Sequence, residues 1–331
     1  MSQTSLAKVG KLVWHLLEEY GQDPESLFLE AGIEPKLIDT PDARVNIDSA
    51  NKLWSRASEL IDDPCFGLHA VRHWHPSHYG ALGYAWLASS SLRTAFNRTD
   101  RYVHTVSEFL DLQLQDTADG FVVTLVPCPA MQDIPARNDA TMAIFIKMCR
   151  INVDEELNPS LVTFTHEEFP SSGDYYAFFR CPVQFGAATN SFTIPAELID
   201  QQLDGASPEL AQLHDQLMLR ALAKLNRNNI EQRVKATIIE QLPSGNISQG
   251  MVADALHMSI RNLQRKLKNM DTSFRDLLEE TRRELAIQYV TESDINLGEV
   301  TFLLGFSESS TFSRAYKRWN GITPSEVRKS I

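Results

Sequence analysis

The sequence predicts an α+β fold. A mixed domain of helices and antiparallel strands comes first, and an all-α domain with two helix-turn-helix units follows. Three observations predict it. Apolar residues recur at helical spacing over most of the chain, but Leu110, Leu112 and Leu114 alternate strictly with Asp111, Gln113 and Gln115, the mark of a half-buried strand. Short strand-like runs continue as far as Ile194 and do not return after Pro208. The stretch 247–328 then shows one pattern twice: a short apolar helix, a turn, and a helix with one polar face.

At 331 residues the chain is long enough for two cores. The expected division is 1–205 for the first domain, 206–227 for a linker and connecting helix, and 228–331 for the second. Asp204-Gly205-Ala206-Ser207-Pro208 supplies the turn-forming residues at the junction.

Within the first domain, Leu6, Val9, Leu12, Val13, Leu16, Leu17 and Tyr20 predict one amphipathic helix. Asp23-Pro24 reads as a cap with proline at the first helical position, and Gly32 as the stop. Ala50, Leu53, Trp54, Ala57, Leu60 and Ile61 form the next stripe, and Asp63-Pro64 starts a third helix. Tyr79–Ala88 and Ser91–Val106 read as two more. Asp119-Gly120 is a hairpin signal that returns Phe121–Val126 against the Leu110 strand. Helical spacing resumes over Ala136–Asn152, with Ala143, Ile144, Ile146 and Ile151 apolar. A strand at Leu161–Thr165, a helix at Asp174–Phe179, and a hairpin of Val183–Gly186 with Ser191–Ile194 complete the domain.

The second domain begins with helices Pro208–Leu225 and Ile230–Leu242. Ser248 caps a helix whose apolar positions are Val252, Ala255 and Leu256, and Ser259 caps the next, satisfying an otherwise orphaned N–H. On that second helix Ile260, Leu263 and Leu267 face inward, while Arg261, Gln264, Arg265 and Lys268 face out. Ser273–Val290 is a linking helix packed through Phe274, Leu277, Leu278, Leu285 and Tyr289. Asn296 and Glu299 are spaced as a capping box, Val300, Leu303 and Leu304 follow, and Gly305 closes the helix in the left-handed conformation. Ser307 is the expected cap of the last polar-faced helix. There Phe312, Tyr316 and Trp319 point in, and Ser309, Ser310, Thr311, Ser313, Arg314 and Lys317 lie on the outer side or at the helix start.

One polar helix face is ordinarily just solvated. Two such faces joined by an amphipathic helix are harder to dismiss, and their side chains suit the major groove. Arg pairs with guanine bidentately, Gln with adenine, and Ser is permissive. Arg261 and Arg314 are the expected base readers, and Lys268 and Lys317 the phosphate positioners, with Ser259 at the groove-facing helix start.

The matching residues are Met258-Ser259-x-Arg261-x-Leu263-Gln264-Arg265-x-Leu267, Gly305-Phe306-Ser307, Phe312-Ser313-Arg314-Ala315-Tyr316-Lys317-Arg318-Trp319 and Gly321-x-Thr323-Pro324. Through these, residues 210–331 resemble the DNA-binding domain of the AraC/XylS family of bacterial transcription regulators. Tyr316 stands where that family often has Phe. Gly80-x-Leu82-Gly83-Tyr84, Ser89-Ser90, Leu92 and Phe179-x-Cys181-Pro182-Val183-x-Phe185 more loosely resemble the family's "arabinose-binding" type N-terminal domain, over about residues 20–205. The resemblance implies a sequence-specific regulator of double-stranded DNA. It implies a small-molecule effector, a homodimer, and activation through RNA polymerase.

Charge and composition agree with this division. The net charge is −12, but residues 211–331 hold 17 Lys+Arg against 14 Asp+Glu, net +3. The remaining −15 lies in residues 1–210, where it keeps the domain soluble and disfavours non-specific contact with phosphate. Cys65, Cys128, Cys149 and Cys181 are widely spaced without a Cys-x-x-Cys motif, as expected for a reduced cytoplasmic protein. No apolar run is long enough for a membrane span, and the N-terminus lacks the basic and apolar segments of a signal peptide. No Gly-x-Gly-x-x-Gly, Walker loop or Gly-x-Ser-x-Gly is present, so neither catalysis nor a bound cofactor is expected.

An effector cavity is expected between the early helices and the sheet, lined from His78, Tyr79, Tyr84, Trp86, Phe109 and Arg137, where aromatic and polar residues concentrate. Two other readings are open. The first domain is a dimerisation module without an effector, or His69, His73, His75 and His78 make a metal sensor. His69 and His73 have metal-binding helical spacing, but Pro76 breaks the segment and no thiolate or carboxylate motif completes it, so no metal is expected.

Overall fold

A computed structural model describes residues 3–170, 172–225, 230–245, 247–291 and 296–330. It comprises two compact units, Met1–Ser207 and Pro208–Ile331. The expected boundary at 227/228 lies outside the described residues.

The first unit opens with strand β1 (Thr4–Leu6), a 3-10 turn (Ala7–Gly10) and helix α1 (Lys11–Glu19). The single helix expected from Leu6 is therefore shorter. Leu6 pairs with Arg44 of β2 (Arg44–Asn46), a partner far along the chain that helical periodicity does not reveal. Helix α2 (Pro24–Glu30) starts as predicted, with the Asp23 carboxylate accepting from the Glu25 N–H. Asn46 caps α3 (Ile47–Leu60) through the Ser49 N–H.

The segment after Asp63-Pro64 forms only a short helix, α4 (Phe66–His69), and a 3-10 turn (Ala70–His73). His69 and His73 thus do not share one α-helix. Gly67 explains how α4 is seated. A Cβ there would lie 2.1 Å from the Ala136 carbonyl, so only glycine allows this approach. Helix α5 (Ala81–Leu87) precedes α6 (Leu92–Val106), which opens with a reciprocal Ser91–Thr94 capping box.

Strands β3 (Leu110–Thr117) and β4 (Gly120–Pro127) form the expected hairpin. Helix α7 (Pro135–Asn152) follows, and then β5 (Leu161–Thr163), α8 (Gly173–Phe179), β6 (Val183–Gln184), β7 (Ser191–Ile194) and α9 (Ala196–Ile199). The sheet order is β3-β4-β7-β5-β6. The hairpin expected between β6 and β7 does not form. β5 lies between them, pairing antiparallel with β7 and parallel with β6. Helix α8 is the reason, because a strand-helix-strand crossover delivers its second strand parallel to the first.

Helix α7 is buried nearly all round. Met142, Ile144, Phe145, Ile146, Met148 and Cys149 are each no more than 3% exposed, and only its last turn surfaces, where Ile151 is exposed. Its buried polar residues, Arg137, Asn138, Asp139 and Arg150, are enclosed with the apolar ones and find hydrogen-bond partners there. Phe145 packs on Phe192 of the sheet at 6.1 Å between centroids.

The second unit contains α10 (Pro208–Leu225), α11 (Ile230–Gln241), α12 (Gln249–Ala255), α13 (Ile260–Lys268), α14 (Phe274–Thr291), α15 (Leu297–Leu303), α16 (Ser309–Asn320) and α17 (Pro324–Ser330). Its core joins Val234 and Ile238 to Val252, Leu263, Leu267, Leu277, Leu285, Val300, Phe312 and Tyr316. Two inward assignments are corrected. Ala253 is buried rather than Ala255, and Ile260 is 46% exposed because it sits on the outer side of the first turn of α13. Among the described residues no helix is long and apolar enough to cross a membrane.

Candidate nucleic-acid interface and ligand cavity

The first helix-turn-helix is α12 and α13. Ser248 accepts from the Met251 N–H and Ser259 from the Asn262 N–H, so both helices start with a satisfied donor. His257 makes the turn between them with φ +55°. Leu263 and Leu267 anchor α13 in the core, which turns Arg261, Gln264, Arg265, Lys266 and Lys268 to solvent. Gln264 donates to Gln249 at 3.1 Å, tying α13 to the start of α12, and Arg265 donates to Asn262 at 3.2 Å. Arg261 and Lys268 make no hydrogen bond or ion pair among the described residues and extend freely.

The second helix-turn-helix is α15 and α16. Asn296 accepts from the Glu299 N–H, and Gly305 closes α15 at φ +66°. Ser307 does not cap α16. Glu308 holds that position without a side-chain bond, one residue later than its sequence suggests. Phe312, Ala315 and Tyr316 are buried, leaving Ser310, Arg314 and Lys317 exposed with Thr311 and Ser313 half-buried beside them. The hydroxyls of Ser309 and Thr301 lie 3.3 Å apart, Ser310 donates to Glu308, and Arg314 donates to Thr311 at 3.4 Å. The Lys317 side chain makes no hydrogen bond or close ion pair among the described residues, and its charge adds to the Thr323 hydrogen bonds in lowering the Glu326 pKa.

Helix α14 holds the second helix-turn-helix, α11 and α17 through side chains that periodicity did not single out. Arg282 donates to the carbonyls of Leu304 and Gly305, each at 3.0 Å, and lies 4.5 Å over the Phe306 ring. Burial pulls its guanidinium pKa below the usual arginine range. Glu279 accepts from Trp319 Nε1 at 2.9 Å and Arg318 at 2.8 Å; these bonds hold its pKa below the usual carboxylate range. On the other side Lys235 of α11 pairs with Glu280 at 2.9 Å. Arg328 of α17 donates to the Tyr289 and Val290 carbonyls, satisfying acceptors at the end of α14. All these contacts join residues distant in sequence, and no local pattern marks them.

The first unit contains a cavity of about 140 Å³, bounded by the Ser5–Val13 segment, α3, α6 and α7. Its lining is mainly apolar, with Leu12, Val13, Leu53, Val103 and Phe145 among the walls. Of the six residues expected there, Tyr79, Phe109 and Arg137 line it. The other three lie elsewhere. Trp86 is 1% exposed and locked in the core, donating to the Met148 carbonyl and packing edge-on against Phe96. Tyr84 falls on the outer face of α5. His78 is buried, accepts from the His75 N–H, and has its pKa lowered to about 4, chiefly by burial.

Arg137, in the first turn of α7, is 6% exposed. It donates to Asn51 Oδ1 at 2.8 Å and to the Gln132 carbonyl, while its buried Nε has no hydrogen-bond partner. Burial lowers its pKa to about 10, and no carboxylate forms an ion pair with it among the described residues. The nearby Asp133 is bonded to Asn138 instead. Burial also raises the Tyr79 hydroxyl pKa, and that hydroxyl has no hydrogen bond among the described residues.

The histidines near α4 are turned to separate partners: His69 to Tyr20, His73 to Glu19 and His75 to Ser77. Among the described residues no three potential ligands converge as a metal group. Metal analysis of tag-free protein is expected to find no stoichiometric zinc or nickel; a full equivalent of either would overturn this.

Residues 252–330 match the helix-turn-helix domain family. Together with the two polar-faced helices, this defines the class: a DNA-binding helix-turn-helix protein. Residues 21–203 match the N-terminal arabinose-binding domain of AraC transcription regulator. The chain therefore belongs to the AraC transcription regulators, and its first unit is their ligand-binding domain. It is 28% identical over 319 residues to the ornithine utilization regulator of Pseudomonas aeruginosa, covering 95% of this chain and 93% of that protein. It is 27% identical over 323 residues to the HTH-type transcriptional regulator VirS of Mycobacterium tuberculosis, with the same coverage. The solved structure of the transcriptional regulator CdpR from Pseudomonas aeruginosa aligns with a TM-score of 0.48 at 21% identity, over 96% of this chain and 98% of that one.

Proposed function

We propose that the protein is a transcription activator whose α13 and α16 enter successive major grooves about 34 Å apart on one side of the duplex, under control of a small molecule held in the N-terminal cavity. The carrying observation is that two polar-faced helices, α13 exposing Arg261 and Lys268 and α16 exposing Arg314 and Lys317, are seated in one core with α14. Phosphate contacts set affinity, and base-facing side chains set the sequence. The N-terminal unit dimerises, and activation proceeds through contact with RNA polymerase. The effector acts by binding the DNA-competent arrangement more tightly than the other.

The test is selection of binding sites from random duplex DNA with the full chain, followed by hydroxyl-radical footprinting and transcription with purified RNA polymerase. Two protected patches one helical turn apart and stimulated transcription are expected. A single patch, or no enriched sequence, would sink the docking; repression would sink the activator reading.

Lys268 tests the phosphate role. It sits at the end of α13, where a helix leaving the groove passes the backbone. Lys268→Ala is expected to weaken specific and scrambled DNA alike and to reduce the salt slope by about one. A loss confined to the specific site would make Lys268 a base reader.

A further inference from the structure

The cavity beneath α6 and α7 combines an apolar wall with one buried cation that forms no ion pair among the described residues; Asp133 acts on it only through space and is itself bonded to Asn138. Most buried arginines are paired, because an uncompensated charge in an apolar setting is costly. Here the guanidinium has two protein acceptors, both neutral, and Nε has none. A guanidinium carries five N–H donors, so several are left to serve a ligand. The position adds to the charge: Arg137 lies in the first turn of an 18-residue helix, where the backbone dipole is positive. The Tyr79 hydroxyl, also on the lining and without a protein partner, is a second donor.

Size limits the rest of the ligand. Roughly 150 Å³ of apolar cavity accommodates a benzene-sized molecule, and this cavity is about 140 Å³. We propose that the N-terminal unit binds a small monocarboxylate, its carboxylate accepting from the Arg137 guanidinium and its tail of about five or six carbons filling the space between Leu12, Val13, Leu53 and Val103. This rests on the effector reading above and names the effector's chemical class. A cationic ligand meets a buried cation without an ion-pair partner among the described residues, and a neutral one leaves the Arg137 charge offset only by Asp133 at a distance. The preference therefore follows from the protein's own electrostatics.

The test is calorimetry and thermal melting of the full chain with four probes of one length: hexanoate, hexanamide, 1-hexanol and hexylamine. Hexanoate is expected to bind at least about tenfold tighter than the amide or alcohol, with no binding of the amine. Arg137→Gln should bring hexanoate down to the affinity of hexanamide. Because Arg137 also holds Asn51 and Gln132, a second variant guards against misfolding. Val103→Phe fills the cavity from the opposite wall and should abolish hexanoate binding while leaving DNA affinity intact. Equal affinity for hexanamide and hexanoate, unchanged hexanoate binding in either variant, or no binding by any probe overturns the proposal. Tighter binding of a neutral probe overturns only the charge class and leaves the effector reading standing. If hexanoate binds through Arg137 but DNA affinity and transcription do not respond, the carboxylate site stands and the effector reading falls.

Discussion

Gly305→Ala is expected to destabilise the C-terminal unit by about 2–4 kcal/mol, the sum of two separate penalties. The first is conformational: Gly305 has φ +66°, where a side chain costs about 1–2 kcal/mol. The second is steric. An added Cβ would stand 2.6 Å from the Leu242 carbonyl oxygen, an atom fixed in backbone. The shift needed to relieve it would pull on the Arg282 bonds to Leu304 and Gly305. Gly321 provides the control, since its φ is +81° but open space surrounds its Cβ position. Gly321→Ala should cost only the conformational part. Urea unfolding with hydrogen exchange read at α15 and α16 separates the two, and equal losses would refute the steric argument. His257 at φ +55° in the first helix-turn-helix already shows that a turn of this kind tolerates a side chain when nothing opposes it.

Arg261→Ala is expected to cost about 1–3 kcal/mol on the cognate site and to relax base preference at one position. Arg261 sits two residues after the Ser259 cap, at the helix end that reaches base edges in helix-turn-helix docking. No neighbour among the described residues holds its guanidinium, unlike Arg265 and Arg314, which are bonded along their own helices. Titration of specific and scrambled DNA over a salt series reads out the role. Equal loss on both DNAs with a shallower salt slope would make Arg261 a phosphate contact instead.

What the sequence disclosed was local. Asp23, Ser248, Ser259 and Asn296 were legible as caps because a cap and its N–H lie within three residues. The Leu110 hairpin was legible because its two strands adjoin in the chain. What escaped depends on distant partners. The β1–β2 pairing removed Leu6 from a helix, and the insertion of β5 between β6 and β7 undid a plausible hairpin. The same holds for the sites. Exposed positions on α13 and α16 follow from period, whereas Arg282, Glu279 and Arg328 work across gaps of some twenty to forty residues. Aromatic density near α5 indicated a cavity but did not say which rings faced it. Trp86 and Tyr84, two residues apart on one helix, went to the core and to solvent.

The bracing of α14 has a consequence for the DNA under the proposed docking. With Glu279 and Arg282 fastening the second helix-turn-helix, Lys235 fastening α11, Arg328 closing the far end, and Leu263 and Leu267 seating α13 in the same core, the distance between the two reading heads is a property of the protein rather than of a tether. The chain is then a ruler of fixed pitch. Target sites are free to drift by base substitution, each change losing a contact or two, but a single inserted or deleted base pair between the halves turns one half away from its reader. Operators of this regulator should therefore vary in letters and not in length.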